Sequence, residues 1–475
     1  MKQKELEIKI EKFSEKGLGI AFDENKNKIL IPKVVINDVL LASLNKKSKG
    51  VIKGKLLNLI SPSSYRSNPV CEHFDICGGC TWQNLQYDEQ LNQKQNLIVK
   101  YFNEDLKNNS VNLFSIKPCE NIFEYRNKME FSFAENRKKT KYLGLIMHGG
   151  RFVIDIHRCY LSSLWFSRVL KNVKLWWEKY NFTAFNFLDG LGLLRTLTIK
   201  EGKNTNEKMI VLTISNETNL TKEQKDDFIS FVKEALSEDK SFDENEVSIF
   251  LNIQIAEKKK KTTFVLEKLF GKDFIKEDLH INALNENINL SFQIGPFSFF
   301  QPNTLQAQNL YSIAIDHLKD ENLKDKVIFD LYSGTGTIGM ILSNFSKKVI
   351  AVEINEDAAN QAKQNAKLNN INNFEMINAD VSCFLNNFVS QDLQRPHLIV
   401  VDPPRAGLSA DSIENILKIS PKVILYISCN PITQKENIDM LTKNGYQLKI
   451  LHPIDQFPHT YHIENIAILK KLDFE

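Results

Sequence analysis

The 475-residue sequence contains no apolar run approaching the roughly 18 residues that a membrane helix needs. Its first residues are charged and polar and contain no apolar signal core, so we expect a cytoplasmic protein without a membrane partner. Seven cysteines are too few for a disulfide scaffold in a chain of this length. In a cytoplasmic chain, clustered cysteines indicate a metal site or catalysis.

The sequence also lacks a strong charge of one sign, because 61 basic and 58 acidic residues leave a net charge of +3. The distribution is uneven. Residues 1–70 carry 14 Lys and Arg against 7 Asp and Glu, which is a net of +7 and leaves −4 on the other 405 residues. A basic arm on a near-neutral body favours a polyanion such as nucleic acid as partner, although a solvated lysine-rich surface has the same pattern.

A hydrophobic content of 42% is that of a folded protein, and the length predicts about two to four domains. Residues 1–60 contain short apolar segments separated by polar turns, which predict a small β-barrel. A Ser- and Pro-rich linker follows at residues 61–69. The central part, residues 61–290, has mixed α and β character, and residues 291–475 form a third domain.

The third domain has apolar strands alternating with helices, which predicts an α/β fold with a buried parallel sheet. The predicted strands are residues 327–331, 348–352, 397–401 and 423–427, and the predicted helices are residues 337–346 and 356–369.

A glycine-rich loop follows the first of these strands. Gly334 and Gly336 allow a sharp turn and a close backbone approach to a ligand, and Thr337 opens the next helix. Glu353 ends the second strand, where its carboxylate can accept both hydroxyls of a ribose. Asp380 follows the third strand, where its side chain or backbone can meet an adenine edge. The loop and the two acids predict a nucleotide site.

The loop also satisfies the dinucleotide motif G-x-G-x-x-G, so a nicotinamide enzyme must be weighed. The fourth strand decides against it, because it ends in the rigid turn Asp402-Pro403-Pro404-Arg405. Together with Asp330 ahead of the glycine loop, this turn resembles class I S-adenosylmethionine methyltransferases. Enzymes of that class that methylate amino groups place an aromatic residue where this sequence has Arg405, so methylation of an exocyclic amine is disfavoured.

The fifth strand ends in Ser428-Cys429-Asn430-Pro431, which places a cysteine at the mouth of the site. A buried structural cysteine is the alternative. Pyrimidine C5 methylation requires a thiolate that adds to C6 and makes C5 nucleophilic, followed by a base that removes the C5 proton. Glu464 is the natural base, and His462 and His459 are alternatives for which a packing or hydrogen-bonding role is favoured.

Five motifs occur in the order found in the RNA uracil-5-methyltransferase family, which residues 291–475 resemble most strongly. The resemblance implies that Cys429 is the nucleophile and Glu464 the base. It also implies an S-adenosylmethionine site lined by Gln301, Tyr332, Glu353 and Asp402, and an N-terminal RNA-binding TRAM domain of the OB type. Ser333 stands where many relatives have cysteine. The motifs are Phe299-Phe300-Gln301-Pro302-Asn303, Asp330-Leu331-Tyr332-Ser333-Gly334-Thr335-Gly336-Thr337, Asp402-Pro403-Pro404-Arg405, Ser428-Cys429-Asn430-Pro431 and Phe457-Pro458-His459-Thr460-Tyr461-His462-Ile463-Glu464.

Three cysteines fall within ten residues, and a fourth lies far along the chain: Cys71, Cys77, Cys80 and Cys159. Four thiolates can hold zinc or an iron–sulfur cluster, and zinc favours paired knuckles over this three-plus-one spacing. The spacing resembles the [4Fe–4S] site of the bacterial 23S rRNA branch of the family. Cys119 and Cys383 lack such a context, and we expect both in the core.

The sequence therefore predicts a monomeric enzyme that methylates uracil C5 in RNA, with a uridine of 23S rRNA as the leading target. One alternative is the same chemistry on tRNA. Another is a non-catalytic RNA-binding iron–sulfur protein, which a failure to bind S-adenosylmethionine would favour.

Overall fold

The structure is a computed structural model that describes residues 4–45, 50–107, 110–238, 242–256, 260–391 and 394–472. Among these residues, none of the helices has both the length and the apolar character that crossing a bilayer requires.

The first six strands form one sheet in the order β1-β5-β6-β4-β3-β2. Alternating side chains such as Ile29, Ile31 and Leu40 face a small apolar core, while Lys53 and Lys55 point into solvent. The short strands predicted from the sequence are present, and β6 adds a longer one. The strands span Lys4–Lys9 (β1), Lys12–Phe13 (β2), Gly19–Phe22 (β3), Lys28–Ile31 (β4), Val39–Leu44 (β5) and Val51–Ser61 (β6).

The segment predicted as a linker is fastened to this sheet. Ser61 ends β6, and the guanidinium of Arg66 binds both carboxylate oxygens of the buried Asp38 at 2.7 Å. The backbone N–H of Ser63 donates to the same carboxylate at 3.0 Å. A buried carboxylate requires such partners, so these bonds hold the segment against the sheet. The Ser- and Pro-rich composition of the segment gave no sign of this contact.

The central part is a seven-stranded sheet in the order β10-β9-β8-β11-β12-β13-β14. Two helices pack on it, and Trp176 and Trp177 are fully buried between helix and sheet. Its elements are Lys128–Glu135 (β8), Lys141–Ile146 (β9), Val153–Asp155 (β10), Leu164–Tyr180 (α3), Leu194–Glu201 (β11), Lys208–Ser215 (β12), Lys222–Ser237 (α4), Val247–Ile255 (β13) and Thr263–Phe270 (β14), with a 3-10 turn at Glu244–Glu246.

The last part is an eight-stranded sheet in the order β19-β18-β17-β20-β21-β23-β22-β7, preceded by the hairpin β15-β16. Strands β17 to β21 run parallel and β23 is antiparallel to β21, which confirms the predicted α/β methyltransferase fold. The elements are Ile275–Ala283 (β15), Glu286–Ile294 (β16), Thr304–Asp316 (α5), Val327–Leu331 (β17), Thr337–Ser343 (α6), Lys348–Glu353 (β18), Glu356–Leu368 (α7), Phe374–Asn378 (β19), Val381–Val389 (α8), Leu398–Val401 (β20), Ala410–Ile419 (α9), Val423–Ser428 (β21), Pro431–Thr442 (α10), Tyr446–Ile454 (β22) and Glu464–Lys471 (β23).

Elements from an earlier part of the chain complete this last sheet. Two helices, Tyr87–Tyr101 (α1) and Asn103–Lys107 (α2), precede the short strand Asn112–Leu113 (β7), which pairs in parallel with β22. Ile98 and Phe102 lie in the apolar core that is formed between the sheet and α10. Helix α1 thus packs on the methyltransferase sheet, although the sequence places it in the central part.

Candidate active site

The glycine-rich loop leaves β17 in a conformation that few residue types adopt. Tyr332, Gly334 and Gly336 have φ values of 59°, 55° and 77°. A Cβ at Gly336 would lie 2.7 Å from the ring of Phe374, so this position requires glycine. The loop turns at the carboxyl edge of the sheet, where ligands bind in open α/β folds.

The predicted ribose acid Glu353 supports the loop from the neighbouring strand. Its Oε2 accepts a hydrogen bond of 2.9 Å from the backbone N–H of Gly334, and its Oε1 accepts one of 2.8 Å from Asn355. Asp380 caps helix α8 by accepting from the N–H of Cys383 at 3.0 Å. Thr337 is the buried first residue of α6. The structure therefore brings these predicted cofactor residues to one edge.

Two acids at this edge are unusually weak for carboxyl groups. Burial raises the pKa of Asp330 to about 7, and one of its oxygens accepts from the N–H of Gly339 at 2.8 Å. Its other oxygen has no hydrogen-bond partner among the described residues. Burial also raises the pKa of Asp402 to about 7. Both groups can therefore change protonation near neutral pH when a charged ligand arrives.

Cys429 directly follows β21 and Glu464 is the first residue of β23, and the two side chains lie close together. With Arg405 they form the candidate site that we call the methyl-transfer site. Burial raises the pKa of the Cys429 thiol to about 11, and the nearby Glu464 adds to the effect. Arg405 opposes it through its charge and a hydrogen bond to the thiol. Burial and the charge of Asp402 raise the pKa of Glu464 well above its ordinary value.

Sequence reasoning used Arg405 only to disfavour an amine substrate and did not assign it to the site. The structure places its guanidinium between the thiol and a histidine, with a 2.9 Å contact to Nδ1 of His462. Its backbone oxygen accepts from the side-chain amide of Asn430, the residue after Cys429. The signal was available in the sequence, because Arg405 directly follows the Asp-Pro-Pro turn.

The two histidines considered as bases have lowered pKa values. Burial and the charge of Arg405 lower the pKa of His462 to about 4, so its imidazole is neutral and accepts from the arginine. Burial lowers the pKa of His459 to about 4. The His459 ring stacks on Phe123 at 4.5 Å and contacts the side chain of Gln90 at 3.3 Å. His459 thus makes packing contacts and His462 a hydrogen bond with Arg405, and the packing or hydrogen-bonding role favoured for both histidines stays a prediction.

Gln301 reaches the same region from the segment before α5. Its side chain hydrogen-bonds the hydroxyl of the buried Tyr311, whose pKa is raised by burial and by the charges of Asp402 and Glu464. Its backbone oxygen accepts from Asn127 at 2.8 Å. Tyr311 is a further polar group near the site. It lies on α5, where the apolar periodicity of the helix does not distinguish a functional tyrosine from a core residue.

The loop that carries both histidines is held by a buried ion pair, which we call the loop anchor. Nζ of Lys94 on α1 lies 2.5 Å from Asp455, and both side chains are fully buried. The hydroxyl of Tyr87 donates to the other Asp455 oxygen at 2.7 Å, and Lys94 also donates to the carbonyl of Phe457. The anchor thus determines where the chain enters β23, which begins at Glu464.

The four clustered cysteines all line one cavity of about 630 Å³, which we call the cysteine cavity. Burial raises the pKa of Cys80 to about 12, and its neighbours Cys159, Cys77 and Cys71 add to the shift. Within the described residues, no three of these thiols have sulfur atoms all within 4.8 Å of one another. The backbone of Thr81 and of Trp82 donates to the carbonyl of His459 at 2.8 and 2.9 Å, so the segment that follows Cys80 touches the anchored loop.

The two remaining cysteines differ from each other. Cys119 is buried, and its sulfur accepts from Asn303 and donates to the carbonyl of Asn121. Cys383 is exposed on helix α8, so the expectation that it lies in the core is wrong. Val381, Leu385 and Phe388 form the buried face of that helix and leave Cys383 on the opposite side.

Fold and site together define a class I S-adenosylmethionine-dependent methyltransferase, and the comparisons with known proteins show that its substrate is RNA. The chain belongs to the tRNA (uracil-5-)-methyltransferase family, whose model matches residues 86–472.

Several relatives match nearly the whole chain. An uncharacterized RNA methyltransferase of Protochlamydia amoebophila is 38% identical over 92% of this chain and 99% of its own length. One of Clostridium tetani is 32% identical over 99% of both. The tRNA (uracil-54, C5)-methyltransferase of Pyrococcus abyssi, solved with S-adenosyl-L-homocysteine, is 25% identical and superposes with a TM-score of 0.73 over 98% of this chain and 99% of that one.

Proposed function

We propose that this protein methylates C5 of a uracil in RNA, with Cys429 as the nucleophile and Glu464 as the base. One observation carries the proposal: a thiol, a carboxyl group and an arginine meet at the edge of the sheet that presents the glycine-rich loop. The nucleophile and the proton acceptor of C5 methylation must be adjacent, because they act on neighbouring atoms of one ring.

The residues of the methyl-transfer site account for each bond change. The Cys429 thiolate adds to C6, which forms an S–C6 bond and moves electron density to C5. Bound S-adenosylmethionine supplies the methyl group that C5 takes up. Glu464 then accepts the C5 proton, the C5–C6 double bond forms again, and the S–C6 bond breaks to return the thiolate. Arg405 stabilises the thiolate, which burial alone would disfavour.

The same proposal assigns the cofactor residues. Each Glu353 oxygen accepts one backbone N–H and keeps a lone pair for a ribose hydroxyl. The other side chains and glycines at this edge would hold the amino-acid and adenine parts of S-adenosylmethionine. They are Gln301, Tyr332, Gly334, Gly336, Thr337, Asp380 and Asp402.

The cysteine cavity suits a cluster better than a single ion. Zinc with Zn–S bonds of about 2.3 Å draws its thiolates to about 3.8 Å from one another. No three of the described thiols are within 4.8 Å of one another, and they surround a cavity instead. We include a [4Fe–4S] cluster on Cys71, Cys77, Cys80 and Cys159 in the proposal, where it would hold two distant segments together.

The N-terminal sheet would bind RNA phosphates as a TRAM-like domain. Lys53 and Lys55 are exposed on β6, and the sheet packs on the cysteine segment through Lys33, whose ammonium donates to the carbonyls of Cys77 and Cys80. Changing Lys53 and Lys55 to Glu would therefore test phosphate contact better than deleting the domain. We expect the slope of log affinity against log salt to fall by about one for each lysine.

A uridine of 23S rRNA is the proposed target, and a tRNA uridine is the second candidate. The tRNA family to which the chain belongs and the activity of the Pyrococcus abyssi relative favour tRNA. The cysteine spacing favours rRNA by its resemblance to that branch. The protein would act as a cytoplasmic monomer.

The test is to incubate the purified protein with S-adenosylmethionine and with transcripts of 23S rRNA or tRNA, and to map 5-methyluridine. Product in rRNA supports the leading proposal, and product only in tRNA replaces the target. If neither RNA gains 5-methyluridine although S-adenosylmethionine binds, the proposed function is wrong.

A further inference from the structure

One exposed apolar surface lies in the central sheet, away from the methyl-transfer site. Phe187, Leu188 and Leu191 are 81%, 90% and 61% exposed. They belong to the turn of residues 185–191 before β11, which we call the Phe187 loop. Three large apolar side chains so fully exposed on one turn are unusual for a surface that contacts only water.

Hydrogen bonds within the Phe187 loop give it a defined shape. Asn186 donates its side-chain amide to Asp189 at 2.7 Å and accepts from the N–H of Leu188 at 3.0 Å. Asp189 also accepts from the N–H of Leu191, and the N–H of Gly190 donates to the Asn186 carbonyl. The apolar side chains are therefore held outward by the backbone of a closed turn.

Arg195 lies beside this loop without a counter-charge. Its guanidinium carbon is 3.7 Å from the ring centre of Phe185 and 5.3 Å from that of Phe187. It sits at a register shift between β11 and β12, a place where a bulge redirects a side chain. Among the described residues it has no ion pair or hydrogen bond through its side chain. The carboxylates of Asp189 and Glu217 accept the backbone N–H groups of Leu191 and Gly192.

A basic hairpin lies next to the loop. The turn between β8 and β9 carries Arg137, Lys138 and Lys139, all exposed. It is joined to the loop through Glu135, which accepts from the N–H of Ala184 at 3.3 Å. An exposed aromatic ring, an arginine beside it without an ion-pair partner and neighbouring cations are the features that bind single-stranded nucleic acid.

We propose that the Phe187 loop and Arg195 form a stacking platform for unpaired RNA bases outside the methylated nucleotide. The class of partner rests on the proposed function, since the family acts on RNA. The platform lies at the opposite end of β11 from the segment that leads to Gln301: Arg195 and Lys200 are five positions apart, or about 17 Å along the strand. Lys200 donates to the carbonyls of Gly295 and Ser298, just before Gln301.

This separation gives the platform a role in choosing the substrate. The platform would help to select RNAs that carry an unpaired segment besides the target uridine, and it would contribute to binding without contributing to the chemical step.

The test measures binding of the full-length protein to a mixed-sequence single-stranded RNA of about 16 nucleotides, so that it does not depend on methylation. Phe187→Ala combined with Leu188→Ala should weaken binding roughly fivefold or more, as loss of base stacking does. Arg195→Ala should weaken binding and lower the slope of log affinity against log salt by about one. Arg195→Lys should keep that slope and lose only the affinity that comes from guanidinium stacking. Leu175→Ala, a 46% exposed leucine on α3, is the matched control and should change neither.

Equal RNA affinity in wild type and all loop variants would overturn the platform. So would a change in self-association of the loop variants in sedimentation without a change in RNA affinity, because the surface would then be a protein interface. The methylation assay with S-adenosylmethionine is run separately on the same proteins. A protein that binds the RNA through the platform but makes no 5-methyluridine would contradict the proposed function and leave the platform standing.

Discussion

Cys429 and the four thiols of the cysteine cavity share burial but differ in their neighbours. Burial raises the pKa of Cys429 to about 11 and that of Cys80 to about 12. Beside Cys429 there is one arginine and one carboxyl group. Around Cys80 there are three other thiols, with the ammonium of Lys33 nearby. One thiol paired with a cation and a proton acceptor suits covalent catalysis, and several thiols around one cavity suit a shared electrophile such as a metal cluster.

The two regions are also in contact. The backbone of Thr81 and Trp82, next to Cys80, donates to the carbonyl of His459 in the anchored loop that leads to Glu464. A change in the cysteine cavity can therefore reach the methyl-transfer site through one short segment, without a redox step.

The sharpest way to separate the two kinds of thiol is to change only Cys429, the proposed nucleophile. Cys429→Ser should lower the methylation rate at least about a thousandfold, since a hydroxyl is far less ionised than a thiol. S-Adenosylmethionine binding, measured by calorimetry, should be retained because its proposed contacts lie on other strands. A near-wild-type rate would remove Cys429 from the nucleophile role.

The loop anchor should matter for stability more than an exposed ion pair does. Lys94→Met leaves the buried Asp455 carboxylate without its cation and should lower the free energy of unfolding by about 3–5 kcal/mol in urea. Lys418→Met removes an exposed pair with Glu414 and should cost less than about 1 kcal/mol. Equal losses of unfolding free energy in the two variants would show that the Lys94–Asp455 pair stabilises the protein no more than an exposed ion pair does.

Changing a thiol of the cysteine cavity should affect iron and RNA binding. Cys159→Ala should lower the iron content of anaerobically purified protein from about four per chain and reduce RNA affinity. Cys383→Ala is the matched control, because Cys383 is exposed on α8. Colourless wild-type protein with one zinc per chain would contradict the cluster.

The raised pKa values predict a rate that increases with pH. The reactive form of Cys429 is the thiolate, so methylation should rise toward the thiol pKa of about 11. Glu464 acts in the same direction, because it accepts a proton only when ionised and its pKa is raised. Single-turnover rates between about pH 6 and 9 should approach a tenfold increase per unit. A methylation rate that does not change with pH would show that RNA binding removes the raised pKa values of Cys429 and Glu464.

Much of the methyltransferase sheet could be predicted, because apolar strands alternate with helices over local stretches of sequence. The loop anchor could not, because Lys94 and Asp455 are 361 residues apart and each resembles an ordinary surface charge. Strand β7 has two residues and no periodicity to detect. Cys383 could have been placed correctly, since the apolar residues around it follow the period of an amphipathic helix.

Trapping the covalent intermediate tests the central claim most directly. In Glu464→Gln the side chain keeps its shape but cannot accept the C5 proton, so the S–C6 bond should persist after methyl transfer. We expect an RNA–protein adduct that survives denaturing electrophoresis, with the modified nucleotide on the peptide that contains Cys429. An adduct on another residue, or normal turnover without an adduct, would contradict the assignment of Cys429 and Glu464.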